Sequence, residues 1–278
     1  MPPIDRSRRR NVHIYDSGDP TTVLGGLILA NGVTNTNFYS MVEILFVFTA
    51  TFFLQDEGNT KIEKDDHPLQ PGKYFIIAAD SFYINNKPWL VRTISHATGT
   101  RTQAFCDAVG FKTAHIFPLA YEGYWNNNNY GRWITIPPAN PTKESINSVQ
   151  NGLLLDTAIH QEFNGYYFSV NPNDNYKIVF FTLNSRGLSG KHLNQRLLNN
   201  PQRPVDQLLR WHFRQAVLAN IRGVGEPIFK HDFPPSSDIV GDILHGPKAA
   251  ERMEYELFSH LGAQVELFPA ARGDGFSV

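Results

Sequence analysis

The sequence predicts an α+β fold in three parts: a β-rich N-terminal domain, a central segment of short strand and short helix carrying two histidines, and a helical C-terminal extension. Three observations carry this. Twenty Phe and eleven Tyr make an aromatic load that suits half-buried strands. Apolar runs punctuated by Gly, Asn, Asp and Pro fill the early part of the chain, the pattern of strands joined by turns. Further on, Val205, Leu209, Phe213, Val217 and Ile221 recur every four residues, which is one face of a helix.

Composition sets the outer bounds. A chain of 278 residues holds one large domain or two smaller ones. Hydrophobic residues make up 41% and charged residues 18%, which excludes a disordered chain. A net charge of −1 excludes a strongly basic nucleic-acid coat, so any nucleic-acid contact comes from local patches. The single cysteine, Cys106, excludes an internal disulfide and a CxxC zinc site. It fits a reducing, intracellular location, cytoplasmic or nuclear. The most apolar run, Met41–Leu54, is interrupted by Glu43, is too short to span a bilayer, and reads as a buried strand. No membrane partner and no signal peptide are expected.

Taken in order, residues 1–10 carry four arginines and read as a mobile basic arm. Residues 11–100 form the β-rich domain, mostly antiparallel. Strands are expected over Val23–Val33, Met41–Leu54, Tyr74–Ala79 and Pro88–Ile94, with a turn at Asn85-Asn86-Lys87 and an end in the loop Ala97–Thr102. Gly25-Gly26 lacks the spacing and the Lys-Ser/Thr of a phosphate loop. His13, His67 and His96 have no ligand spacing and read as surface or hydrogen-bonded side chains. The stretch 121–147 is polar and aromatic; it reads either as a substrate-contacting loop or as a loop anchored by Trp125 and Trp133. Tyr166–Val170 and Lys177–Leu183 form a hairpin closed by Asn171-Pro172-Asn173-Asp174. The segment 191–278 is the helical extension. In it, Pro204 suits a first helical position, and Arg203, Arg210 and Arg214 share a face that either meets phosphate or is solvated. A Pro-punctuated linker over Pro227–Asp238 leads to a last helix over Pro247–His260 with Gly262 as its cap, and then a loose tail from Ala270.

The centre carries the chemistry. Phe111-Lys112-Thr113-Ala114-His115-Ile116-Phe117-Pro118 is followed, after the polar stretch, by Asn151-Gly152-Leu153-Leu154-Leu155-Asp156-Thr157-Ala158-Ile159-His160-Gln161-Glu162-Phe163-Asn164-Gly165. Asp156 or Thr157 can cap a helix of about two turns and Asn164-Gly165 can end it. That sets His160 in its first or second turn, facing back toward the hairpin.

These strings resemble the HNH endonuclease family, in the branch that reads A-H-I-x-P, N-G-L-L-L and H-x-x-F-(D/N)-x-G. The likeness covers about residues 101–185, within a nuclease domain placed at 101–190. It implies a ββα-metal unit in which His115 is the general base and His160 binds the metal. Asn151 either orients the loop of the base or reaches the metal. An imidazole titrates near ~6.5, so its neutral form is available near neutrality. The resemblance further implies one divalent cation, Mg²⁺ ahead of Mn²⁺ or Zn²⁺, and a nucleic-acid partner, DNA ahead of RNA. Lys112 and Arg132 are the substrate-binding candidates. The oligomeric state stays open, a homodimer included.

The chain departs from the family pattern at three places. Ala114 stands where many members have a metal-binding Asp or His. Lys112 replaces a frequent acid and can contact phosphate. Asn164 replaces the usual Asp and is a weaker ligand for a hard cation, with Glu162 near enough in sequence to substitute. Cys106 matches the cysteine that opens the family segment and reads as buried and apolar. Two other functions compete with the nuclease: an inactive HNH-fold interaction protein, and a ligand sensor with an aromatic pocket among Phe46, Phe48, Phe53 and Tyr74.

Overall fold

The computed structural model describes residues 7, 9–85, 90, 93–94, 110–183, 186–223, 229–230, 239–245, 249–250 and 253. His96, Cys106, the turn residues Asn86-Lys87, the loop Ala97–Thr102, Pro88 and Gly262 lie outside these residues, as do the tail from Ala270 and most of the expected linker and last helix.

The N-terminal part is built on a five-stranded sheet. Strands β1 (Val12–Asp16) and β2 (Asp19–Leu27) form an antiparallel pair. Helix α1 (Asn35–Leu45) follows, then β3 (Phe46–Phe48), β4 (Phe52–Asp56), β5 (Lys61–Ile62), β6 (Gly72–Ala78) and β7 (Phe82–Ile84). The sheet order is β2-β1-β6-β4-β5, with β3 and β7 as a separate antiparallel ribbon. The β1–β6 pair is parallel and the other neighbours are antiparallel, in keeping with the mostly antiparallel expectation.

Two strand assignments are corrected. The second strand starts at Asp19 and ends at Leu27, rather than running over Val23–Val33. The run Met41–Leu54 is not one strand; its first part closes α1. Thr34 starts that helix with a capping box: its hydroxyl accepts from the Asn37 N–H at 3.3 Å, and the Asn37 side chain accepts from the Thr34 N–H at 3.2 Å. Phe38, Met41, Val42 and Leu45 are all buried at helical spacing. The apolar run hid that period, which begins before it.

Beyond the sheet come β8 (Thr93–Ile94) and β9 (Phe111–His115), then α2 (Glu122–Asn127) with 3₁₀ turns at Leu119–Tyr121, Tyr130–Trp133, Ser145–Asn147 and Val149–Asn151. Strand β10 (Gly152–Asp156) pairs with β9 and runs into α3 (Thr157–Asn164). Strands β11 (Phe168–Asn171) and β12 (Lys177–Phe180) form the expected hairpin. Short α4 (Gln195–Leu198), long α5 (Asp206–Ile221), β13 (Phe229–Lys230, parallel to β8) and α6 (Ile239–Leu244) complete the described elements.

Two apolar cores share α5. Phe213, Ala216, Val217, Leu218, Ala219 and Ile221 enter the first core, with α1 and the sheet. Leu208, Leu209 and Trp211 enter the second, with Ala114, Phe117, Trp125, Leu153 and Phe163. The stripe read from the sequence is buried at Leu209, Phe213, Val217 and Ile221, but the helix is covered on its other sides too, as befits a helix inside a protein. Gly25 explains how it docks, and Gly26 how closely β2 lies on β1. A Cβ on Gly25 would lie 2.5 Å from the Ile221 carbonyl oxygen, and one on Gly26 would lie 2.4 Å from that of Val12. Arg10, expected in a mobile arm, donates from its guanidinium to the carbonyls of Asn220 and Gly223, a cation set on a helix C-terminus. Among the described residues no helix is long and apolar enough to cross a membrane.

Candidate active site

The hairpin register places His115 opposite Gly152, Ala114 opposite Leu153, Lys112 opposite Leu155 and Phe111 opposite Asp156. Ala114 is fully buried and Leu153 nearly so. The position where many family members have a ligand is therefore a packing position here. His115 sits half-buried at the end of its strand.

The chain passes from β10 into α3 with no intervening loop. The Asp156 carboxylate accepts from the Ala158 N–H at 3.0 Å, capping the helix as the sequence suggested. At the far end the Tyr166 N–H donates to the Phe163 carbonyl at 3.1 Å and the Tyr167 N–H to the Glu162 carbonyl at 2.9 Å, a Schellman close. Its left-handed residue is Tyr166, with φ 58. Gly165 is favoured for another reason: a Cβ there would lie a tight 3.1 Å from the Tyr167 ring. The helix is pinned by Phe163, fully buried, whose ring lies flat on His212 at 3.8 Å with 2° between planes. His212, on α5, also shares a 2.8 Å hydrogen bond with the Ser169 hydroxyl. Helix α3 packs on β9, which carries His160 to the side of the hairpin.

Asn151 is fully buried and clamps the backbone just past His115. Its Oδ1 accepts from the Phe117 N–H at 2.8 Å, and its Nδ2 donates to the carbonyls of Phe117 at 3.0 Å and Ile146 at 2.9 Å. Its own carbonyl accepts from the Ile116 N–H at 3.0 Å. One residue thus joins the segment after the first histidine to the end of the 121–147 stretch.

On α3, His160 Nε2 lies 3.4 Å from the side-chain amide nitrogen of Asn164. Amide nitrogen and oxygen exchange places by a flip of the side chain, so the same pair can present an imidazole nitrogen and a carbonyl oxygen. That donor set suits a borderline divalent ion and is poorer in carboxylate than Mg²⁺ usually prefers. Among the described residues no three His, Cys, Asp or Glu side chains stand together as a metal group. Glu162 has one carboxylate oxygen 3.4 Å from Arg186 Nε, and the other is buried with no hydrogen-bond partner among the described residues.

Lys112 lies half-buried on β9, and Arg132 is exposed in the 3₁₀ turn Tyr130–Trp133. The first is on the strand of His115 and the second in the inserted stretch. That stretch is anchored by Trp125, fully buried, whose indole N–H donates to the Ser145 hydroxyl at 3.0 Å. The Phe117 ring collects its aromatics: Trp125 at 5.2 Å, Tyr130 at 5.6 Å and, from α5, Trp211 at 4.6 Å.

The arginine face on α5 divides. Arg203 meets the Asp206 carboxylate at 2.7 Å, and Arg210 meets Asn173 at 2.7 Å and Asp206 at 3.8 Å. Both are engaged within the protein, as the solvated-face reading requires. Arg214 turns inward, and burial pulls its pKa below the usual arginine value. Arg214 was legible only as a member of the stripe, and His212 was missed altogether. Its single sequence cue was a place between two apolar residues of a helical pattern.

A hairpin that runs straight into a short helix, with one histidine on the first strand and one on the helix, is the ββα arrangement implied by the sequence resemblance. Residues 94–171 match the model of the HNH endonuclease family, so the chain carries an HNH endonuclease domain. Residues 9–83 match a Domain of unknown function (DUF8573). No curated protein and no solved structure matches the chain. Domains of the HNH family are nucleases that bind nucleic acid and generally use a divalent metal.

Proposed function

We propose that this protein is a metal-dependent endonuclease that hydrolyses phosphodiester bonds, in DNA ahead of RNA. The observation that carries the reading is the Asn151 clamp, which fixes the backbone directly behind His115 at the point where β9 meets the strand leading to His160. His115 is the general base that takes the proton from the attacking water. His160, with the amide oxygen of Asn164, holds the cation. Asn151 acts as a positioning residue, since both of its amide hydrogens and one side of its oxygen are already bonded to backbone. When bound, the divalent ion supplies a Lewis acid for the scissile phosphate. Lys112 and Arg132 contact substrate phosphates. The nuclease unit occupies residues 101–190, and α5 from beyond it completes its core.

The test is cleavage of supercoiled plasmid by the full chain in EDTA, Mg²⁺, Mn²⁺ and Zn²⁺, beside His115→Ala with its fold checked by thermal unfolding. A general base contributes about 10²–10⁴-fold, so the variant should lose at least about two orders of magnitude while melting near the parent. Absence of metal-dependent cleavage of plasmid, single-stranded DNA and RNA would overturn the nuclease and favour an HNH-fold interaction protein.

A further inference from the structure

Arg214 stands apart from the other cations of α5. Its Nη2 is buried, and it has no hydrogen-bond partner among the described residues. Guanidinium stays charged at any physiological pH, and native proteins leave few buried polar groups unbonded. Arg203 and Arg210 have taken Asp206, the acid nearest in sequence. Two phenols, Tyr124 and Tyr130, lie near enough to interact with its charge, and so does a second cation, Arg222. Their rings lie 6.1 Å apart, and both pack on Phe117, at 6.4 Å and 5.6 Å. Phe117 follows His115 by two residues, and its backbone is the one that Asn151 clamps. Tyr130 is itself stacked on Trp133 at 4.2 Å.

Among the described residues, a guanidinium and two hydroxyls, one bonded to the other, offer donors with no carboxylate acting on Arg214. That is the complement of the non-ester oxygens of a phosphodiester, which Arg recognises through charge-assisted hydrogen bonds. A neutral ligand would leave the charge uncompensated. We propose that Arg214, flanked by the hydroxyls of Tyr124 and Tyr130, binds a backbone phosphate of the nucleic-acid substrate next to the one that is cleaved. The site rests on the nuclease reading for its substrate, and on the unpaired cation for its existence. It also gives the 121–147 stretch a role: Trp125 fixes it to the core, and the tyrosines it carries complete a site begun on α5.

The test uses the full chain in the His115→Ala background with EDTA, so that nothing is cut. Labelled single- and double-stranded DNA and RNA oligonucleotides are titrated by fluorescence anisotropy over a range of salt. Arg214→Met should weaken binding by about tenfold or more and flatten the salt dependence by about one phosphate contact. Arg214→Lys should recover part of both, and Arg203→Met, which removes an internally paired cation, should change neither. A parallel arm uses inorganic phosphate alone: it should raise the melting temperature of the parent and leave that of Arg214→Met unmoved. Arg214→Met is expected to melt no lower than the parent without phosphate, because it removes a buried unpaired charge. Unchanged affinity and salt slope in Arg214→Met would overturn the site even if cleavage is confirmed. Should the parent bind no oligonucleotide, the nuclease reading fails, and the phosphate arm decides the anion site separately: a parent-only stabilisation supports it, and none overturns it.

Discussion

Two aromatic clusters in this protein are both tightly packed and differ in chemistry. The first lies in the N-terminal part and is made mainly of phenylalanines, with Tyr39 at its edge bonded to the Ile62 and Leu54 backbone. Phe48 stacks on Phe52 at 3.8 Å, and Phe46 and Phe48 lie 5.5 and 5.4 Å from Phe82. Such rings bring area and no hydrogen-bonding demand. Phe46, Phe48 and Tyr74, named as walls of a ligand pocket, are packed against other rings, with Tyr74 5.1 Å from Phe38; this counts against the sensor reading. The second cluster gathers Phe117, Tyr124, Trp125, Tyr130, Trp133 and Trp211, and it holds hydroxyls, indole N–H groups and a half-buried cation beside them. Keeping Arg214 there costs stability: among the described residues its Nη2 has no hydrogen-bond partner, and a desolvated charge without one is worse than an apolar side chain of the same size. Aromatic content by itself thus marks a core, while polar handles and a buried guanidinium nitrogen within it are what the proposed phosphate site is built from.

The largest expected effect comes from truncating one ring in each cluster. Trp125→Ala and Phe46→Ala each remove a buried aromatic and should each cost about 3–5 kcal/mol in urea unfolding. Their effects on cleavage should diverge. Trp125→Ala releases the stretch that carries Tyr124 and Tyr130, so nicking falls even at temperatures where the variant is folded. Phe46→Ala should nick like the parent under those conditions, and a matching loss there would erase the distinction between the clusters.

Asn151→Ala comes next. It removes three side-chain hydrogen bonds to buried backbone, each worth about 1 kcal/mol with a further cost for groups left unbonded. A loss of about 2–4 kcal/mol is expected from chemical denaturation. Asn151→Asp keeps the size but faces the Phe117 and Ile146 carbonyls with an acceptor, so it should not rescue. Gly25→Ala should follow at about 1–3 kcal/mol, since the added carbon meets the Ile221 carbonyl. The contact is at Ile221, the last residue of α5 and about two turns past Arg214, so a local adjustment there should leave cleavage per folded molecule unchanged.

Much of this was open to sequence reading because it is local. The capped helix Thr157–Asn164, the β11–β12 hairpin and the two motif histidines depend on neighbours in the chain, and turn and cap chemistry is written at fixed offsets. What could not be read was long-range. The helix over Asn35–Leu45 was lost because an apolar run does not declare its period when strand and helix residues adjoin. Gly25 reports only that backbone comes close, and the backbone that does so is the end of α5, far along the chain. Arg203, Arg210 and Arg214 are equivalent on a helical wheel. Whether each meets acid, solvent or a buried tyrosine pair is set by what packs against that wheel. His212 shows the same limit, since its stack on Phe163 joins α5 to the motif helix only in three dimensions.

The smallest expected effect concerns the link between the two regions. Asp174, in the turn between β11 and β12, accepts from the Asn37 side chain of α1 at 2.8 Å and pairs with Lys177. Burial alone would raise its pKa, but the hydrogen bonds from Lys177 and Asn37 outweigh burial and leave it below the usual aspartate value. A carboxylate with a depressed folded pKa stabilises the protein above its unfolded pKa of about 3.9, and that contribution disappears as pH falls through the lower folded value. Asp174→Asn should therefore cost about 1 kcal/mol at pH 7, with the gap between variant and parent closing below about pH 4. Urea unfolding at a series of pH values measures it. A gap that persisted at low pH would show that Asp174 matters for its shape in the turn rather than its charge. The bond from α1 would then be incidental to how the sheet is tied to the hairpin behind the nuclease motif.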